Sequence, residues 1–125
     1  GQQSGCAFAC IDARMSEVYW GAYRRIPAGG LELMGVESVL SAADVPVTSG
    51  LQGIGTGSGW MTYSDVLTSR LGDGLTGILP DRFPRAAAVA RLAIVEFGLG
   101  HLLPPEDALP VYLRNDVAKK PQKYV

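Results

Sequence analysis

From Cys6 to Asp12 the chain alternates and is rich in small and apolar residues, a pattern that predicts a buried strand. Ala13 to Ser16 turns the chain. Glu17 to Arg24 is β-branched and aromatic, which suits a pleated surface. Its period of two puts Val18, Trp20 and Ala22 on one side and Glu17, Tyr19 and Tyr23 on the other. Pro27-Ala28-Gly29-Gly30 reads as a loop, and a third strand follows near Leu31 to Val36. The opening is therefore expected to be a three-stranded antiparallel meander.

Ser41 to Asp44 predicts a short helix stopped at Pro46, and Leu51 to Gly55 another short strand. Eight of the sixteen glycines lie between Gly50 and Gly77, so this stretch is built for tight turns or close backbone approach. Gly59 to Arg70 reads as a helix and Leu75 to Leu79 as a strand ending at Pro80. The clearest helix runs from Arg85 to Leu99, with Pro84 before it and Gly98 and Gly100 at its end. Only Arg85, Arg91 and Glu96 interrupt its apolar surface, so most of its circumference is expected to be buried. Val111 to Arg114 reads as a final strand or extended segment, followed by a polar tail. Strands first, then strand and helix alternating, predict an α/β or α+β domain with a mixed sheet.

At 125 residues the chain is the size of one domain and can bury a core without metal or disulfide. Hydrophobic residues make up 47% and charged residues 18%, and the net charge is −1, which excludes a disordered chain. Nor does that charge supply a global field to hold nucleic acid or membrane. No apolar stretch reaches the roughly 18 residues that span a bilayer. The start, Gly1-Gln2-Gln3-Ser4, has neither an initiator Met nor a signal-peptide pattern, as expected of a processed, truncated or engineered end. Cys6 and Cys10 would lie on one face of a strand about 13 Å apart, too far to pair. Reduced thiols and a cytoplasmic location follow as the expectation. One His and two Cys make a protein-only zinc site very hard to assemble, and no metal or cofactor is expected.

Several motifs invite chemistry. Gly53-Ile54-Gly55-Thr56-Gly57-Ser58-Gly59, between a strand and a helix, resembles a phosphate loop. The dinucleotide fingerprint fails at Ser58 or Trp60, and no Gly-Lys-Ser or Gly-Lys-Thr occurs, so a structural turn is favoured. Asp12, Arg14 and Glu17 flank the first hairpin turn with Tyr19 nearby. They suit substrate positioning or proton transfer. The favoured alternative has Asp12 accepting turn N–H bonds while Arg14 and Glu17 form a local or interface ion pair. His101 sits past a helix end, where a partly positive ring suits exposed carbonyls. Gly-x-Ser-x-Gly fails because its middle residue is Gly57. Cys6 and Cys10 are expected to pack, and Trp20 and Trp60 to anchor a core or interface. Arg114, Lys119, Lys120 and Lys123 hold four of the eleven basic residues; a solvated run is favoured over RNA contact.

Three segments resemble one known family. Ala9 to Trp20 is similar to the Asp-Ala-Arg-x-x-Glu-Val-Tyr signature of the bacterial TsaB (YeaZ) family. Gly55-Thr56-Gly57-Ser58-Gly59-Trp60 resembles its Gly-Thr-Gly-x-Trp region, and Pro110 to Ala118 its closing Pro-x-Tyr-Leu-Arg motif. The three occur in the family's order and span nearly the whole chain. The resemblance implies an α/β fold, one lobe of a two-lobed actin-like, Hsp70-like ATPase of the ribonuclease H-like kind. Residues 5–118 would form the second, C-terminal lobe, with 1–4 and 119–125 as tails and no first lobe in this chain. It further implies a non-catalytic partner of the TsaD catalytic subunit and the TsaE ATPase. Together these support threonylcarbamoyl transfer to the adenosine beside the tRNA anticodon, so tRNA would be met indirectly. A homodimer is possible on the same resemblance, and no membrane partner is implied. Asp12, Arg14, Glu17 and Tyr19 would fix the hairpin, while Tyr112 and Arg114 would close the sheet or the inter-lobe surface. Gly55 and Gly57 would correspond to a loop near the nucleotide of active relatives. A peptidase-like or nucleotide-binding enzyme and a small RNA-binding module using Lys119, Lys120 and Lys123 remain the alternatives.

Overall fold

The computed structural model describes residues 5–27 and 29–114. Five strands form one sheet: β1 (Cys6–Arg14), β2 (Glu17–Arg25), β3 (Leu31–Leu40), β4 (Gly53–Thr56) and β5 (Leu75–Leu79). Their order is β3-β2-β1-β4-β5. The first three are an antiparallel meander, whereas β4 pairs parallel to β1 and β5 parallel to β4. Parallel neighbours need crossovers. Residues 41–52, with a 3₁₀ turn at Ala42–Asp44, supply the first. The second is α1 (Gly59–Thr62) followed by α2 (Ser64–Leu71).

Alternation along β1 and β2 sends Cys6, Phe8, Cys10, Val18 and Trp20 to one face, where α1, α2 and the 42–44 turn cover them with Trp60, Leu67, Leu71, Ala42 and Val45. Phe8 and Trp20 stack with centroids 5.9 Å apart, and Trp60 meets Trp20 at 6.2 Å. The buried Trp60 indole donates Nε1–H to the Phe8 carbonyl at 2.8 Å, so the crossover is tied to β1 by a hydrogen bond as well as by packing. The turn from β4 into α1 comes close enough to β1 that only glycine fits. A Cβ on Gly57, whose φ is +109°, would collide with the Cys10 carbonyl oxygen, and one on Gly59 with the Cys10 sulfur.

Three elements differ from the sequence expectation. β3 continues to Leu40 because a bulge with Gly35 at φ +84° lets the strand resume pairing at Trp20↔Ser38. The helix expected over 59–70 is broken at Tyr63 (φ −120°, ψ 32°), so that α1 lies against β1 and β4 while α2 lies against the 42–44 turn. Residues 111–114 join no strand; a side chain fastens them instead.

The fourth difference is the largest. α3 (Ala86–Gly98) forms where its apolar run and Pro84 place it, yet none of its residues is buried. Ile94 and Phe97 remain 70% and 68% exposed. Helix propensity and patterning set the secondary structure, but they do not by themselves supply a partner. The expected burial of this helix is absent from the described arrangement.

Candidate functional site

β1 and β2 reverse direction over Met15 and Ser16, with Arg14 opposite Glu17. Arg14, Met15 and Ser16 are all left-handed, at φ 67°, 56° and 61°. Side chains there cost roughly 1–2 kcal/mol each, because Cβ crowds the following carbonyl. Left-handed turns match the twist of paired strands, which is why the hairpin uses them, usually with Asn or Gly. Here three ordinary residues hold the conformation, so their surroundings must fix it.

Two sets of bonds do so. Asp12 accepts the Arg14 N–H on Oδ1 at 3.0 Å, while its own N–H donates to Ser58 Oγ at 3.0 Å, joining the hairpin base to the β4–α1 turn. Arg114 then grips the tip from the far end of the chain. Its Nη1 donates to the Ala13 carbonyl at 2.6 Å, and its Nη2 donates to Glu17 Oε1 at 2.6 Å and to the Arg14 carbonyl at 3.5 Å. The guanidinium carbon lies 5.8 Å from the centroid of the Tyr19 ring. With 9% of its side chain exposed, Arg114 is the most enclosed charge in any ion pair described. Its planar fork reaches carbonyl and carboxylate together, which a lysine would not do.

The structure places Asp12, Arg14, Glu17, Tyr19 and Arg114 together at the hairpin, Arg14 through its backbone N–H and carbonyl. Glu17 pairs with Arg114, not with Arg14. The left-handed backbone turns the Ala13 and Arg14 carbonyls toward the same guanidinium, and the carboxylate completes its shell. Tyr112 stands exposed and joins none of these bonds among the described residues. Lys119, Lys120 and Lys123 lie outside the described residues.

Gly55 lies under the Trp60 indole, leaving no room for a side chain. The Gly57 N–H donates to the Leu79 carbonyl at 3.3 Å, while the amides of Trp60 and Met61 bond Gly57 and Ser58 carbonyls at 3.1 Å. These amides are engaged in closing the turn. The Cys10 thiol is pushed up to about 12, first by burial and then by the nearby Asp12 charge. His101 is engaged through Nδ1 with Glu96 Oε2 at 2.5 Å. Among the described residues no group of three or more His, Cys, Asp or Glu is placed to hold a metal ion. No helix there is long and apolar enough to cross a membrane.

On the sheet face opposite the core, a shallow hollow of about 200 Å³ is bounded by Ala9, Ile11, Tyr19, Tyr23, Glu37 and Leu113. Tyr23 donates its hydroxyl to Glu37 at 2.5 Å, and burial followed by that bond pushes its pKa up. Its ring lies across Gly21, where a Cβ would come 2.7 Å from the hydroxyl. Ser58, Glu37 and Leu113 were not legible as members of this region. Ser58 works through its neighbour's backbone, Glu37 depends on the β3 bulge, and Leu113 depends on the Arg114 anchor.

No family model matches the chain. It is 36% identical over 121 residues to the tRNA threonylcarbamoyladenosine biosynthesis protein TsaB of Escherichia coli (strain K12), covering 90% of this chain and 49% of that protein. The YeaZ structure from Pseudomonas aeruginosa superposes with a TM-score of 0.74 at 34% identity, over 87% of this chain and 50% of that one. A second structure, described as an uncharacterized protein from P. aeruginosa with similarity to peptidase YEAZ, gives the same score and identity over 90% and 51%. The chain spans about half the length of the relatives it matches. Its five-stranded mixed sheet is that of one lobe of the actin-like, ribonuclease H-like fold, as the resemblance implied.

Proposed function

Over the stretch it spans, the chain belongs to the TsaB (YeaZ) family, and from that premise we propose that it serves tRNA threonylcarbamoyladenosine biosynthesis as a non-catalytic partner. In this reading it is the C-terminal lobe, residues 5–118, of a protein that supports a TsaD-like catalytic subunit together with a TsaE-like ATPase. It works through shaped surfaces, and tRNA is handled by the complex.

The observation that carries the reading is the clamp. Arg114 binds the Ala13 and Arg14 carbonyls and the Glu17 carboxylate, joining two of the three motifs shared with the family. The third is joined through Ser58 and Asp12. The motif residues spend their polar groups on one another, fixing the shape of an exposed hairpin with Met15 at its tip. That is what a docking element requires, because a rigid surface loses less entropy on binding. A catalytic constellation would leave a nucleophile beside a base and open to substrate. Here Ser58 Oγ accepts the Asp12 amide, and His101 is held by Glu96.

The test is tRNA modification by purified TsaD-like and TsaE-like subunits, with and without the full-length protein that carries this sequence. The reading expects modification to depend on that protein, and the protein alone to modify nothing. Modification that proceeds equally well without it would end the proposal.

A further inference from the structure

The two crossovers of the sheet fill the core face unequally. Between β4 and β5 the chain lays down α2, but residues 41–52 hold only the 3₁₀ turn at Ala42–Asp44. A crossover to a parallel strand usually carries an α-helix. Here Val45 precedes Pro46 and is extended (φ −58°, ψ 138°), and Gly50 takes φ +86°, so the segment turns away without one. The core beside Phe8 is left with a gap.

That gap is a cavity of about 150 Å³ between residues 46–51 and residues 71–74. Phe8 and Leu71, both buried, line its inner side together with Val47 and Leu51. Thr48, Ser49 and Asp73 line it too and are exposed, at its mouth. The walls are tied to each other at both ends. Arg70 Nε donates to the Val45 carbonyl at 2.9 Å, fastening α2 to the start of the loop. The Leu51 N–H closes onto the Thr48 carbonyl at 3.2 Å, and a Cβ on Gly74 would lie 2.9 Å from the Leu51 carbonyl oxygen. The two loops therefore meet backbone to backbone. A site fixed in this way loses little freedom when it is filled.

We propose that this cavity binds a short aliphatic chain ending in an ammonium group, as a free amine or as a lysine side chain carries. The size fits, because an apolar cavity of about 150 Å³ takes a guest of roughly six heavy atoms. The chemistry fits as well. An apolar interior takes the alkyl chain, and Asp73 is the one charged residue lining the cavity. Among the described residues Asp73 forms no ion pair, while Arg70, three positions before it, gives its Nε–H to Val45. The hydroxyls of Thr48 and Ser49 are acceptors for the remaining ammonium hydrogens. An anion would meet the Asp73 charge, and a neutral alkyl group would leave it unused.

The test is a titration of the 125-residue chain at pH 7, where alkylamines are charged. The probes are n-butylammonium chloride, its neutral counterpart n-pentanol, and lysine blocked at both backbone ends. Backbone amide resonances of Gly50, Leu51 and Gly74 and the Phe8 ring protons report occupancy. The proposal predicts saturable shifts with n-butylammonium, confined to this region, and binding of n-pentanol roughly threefold weaker or less, the scale of an exposed ion pair. Asp73→Asn, an exposed and isosteric change, should bring n-butylammonium down to the affinity of n-pentanol. Blocked lysine separates the sources: binding as tight as that of n-butylammonium assigns the group to a protein side chain, weaker binding to a free amine. Absence of saturable shifts overturns the proposal. So does equal affinity for n-butylammonium and n-pentanol, or an Asp73→Asn variant that binds n-butylammonium as the parent does.

Discussion

The Arg114 guanidinium meets the Glu17 carboxylate at 2.6 Å across 97 residues of sequence, and the same side chain donates to the Ala13 carbonyl. One side chain therefore binds the closing motif of the chain to its first hairpin. Arg114→Ala is expected to lower stability by about 1–3 kcal/mol, the range for charged hydrogen bonds lost from a mostly enclosed site. Arg114→Lys should recover only part of this, because an ammonium cannot satisfy the carbonyl and the carboxylate in one plane. Urea unfolding read at the midpoint, with unchanged slope, checks both.

The hairpin tip stores strain that glycine would relieve. Ser16→Gly, alone or with Met15→Asn, should raise stability by about 1 kcal/mol, since these residues accept left-handed backbone readily. Thermal unfolding measures it. A destabilised double variant would show that the side chains of Met15 and Ser16 contribute contacts the structure does not reveal.

Gly57→Ala and Gly59→Ala should each destabilise the domain severely, because the new methyl meets the backbone or sulfur of Cys10 in the sheet core. Gly77→Ala is the control. A Cβ there meets nothing within 4 Å, so its stability should stay within about 0.5 kcal/mol of the parent.

Burial makes stability depend on alkaline pH. Burial, and then the nearby Asp12 charge, push the Cys10 thiol up on folding from its ordinary value of 9.0 to about 12, so only the unfolded thiol ionises between those values. Its contribution is fully present below about pH 9 and is lost as pH rises toward 12, at up to ~1.4 kcal/mol per pH unit. Tyr23, also raised, acts in the same direction at higher pH. Cys10→Ala should flatten the alkaline limb of denaturation midpoints measured from pH 8 to 11. At neutral pH the thiol should resist alkylation until the chain unfolds.

The strands were legible because their period of two is written in residue type. Val18 and Trp20 fall in the core and Tyr19 and Tyr23 on the other face, as alternation requires. α3 was legible as a helix for the same kind of reason, yet its burial was not, because an apolar stripe states a need for a partner without naming one. The site followed the same division. Motif resemblance grouped Asp12 and Glu17 at the hairpin and set Arg114 apart from them, whereas the pairing of Arg114 with Glu17 depends on the Ala13 and Arg14 carbonyls that hold the same guanidinium. No local pattern encodes that. Tyr112 lies two residues from the clamp and takes no part in it among the described residues, which proximity in sequence did not foretell.

The most direct test of the account is a calorimetric titration of the full-length protein that carries this sequence against its TsaD-like subunit, as parent and as Arg114→Ala. The account predicts saturable binding by the parent and binding at least tenfold weaker by the variant, with the variant still folded by circular dichroism. Equal affinity for both would contradict the hairpin as the docking element. No binding by the parent would contradict the proposed partnership itself.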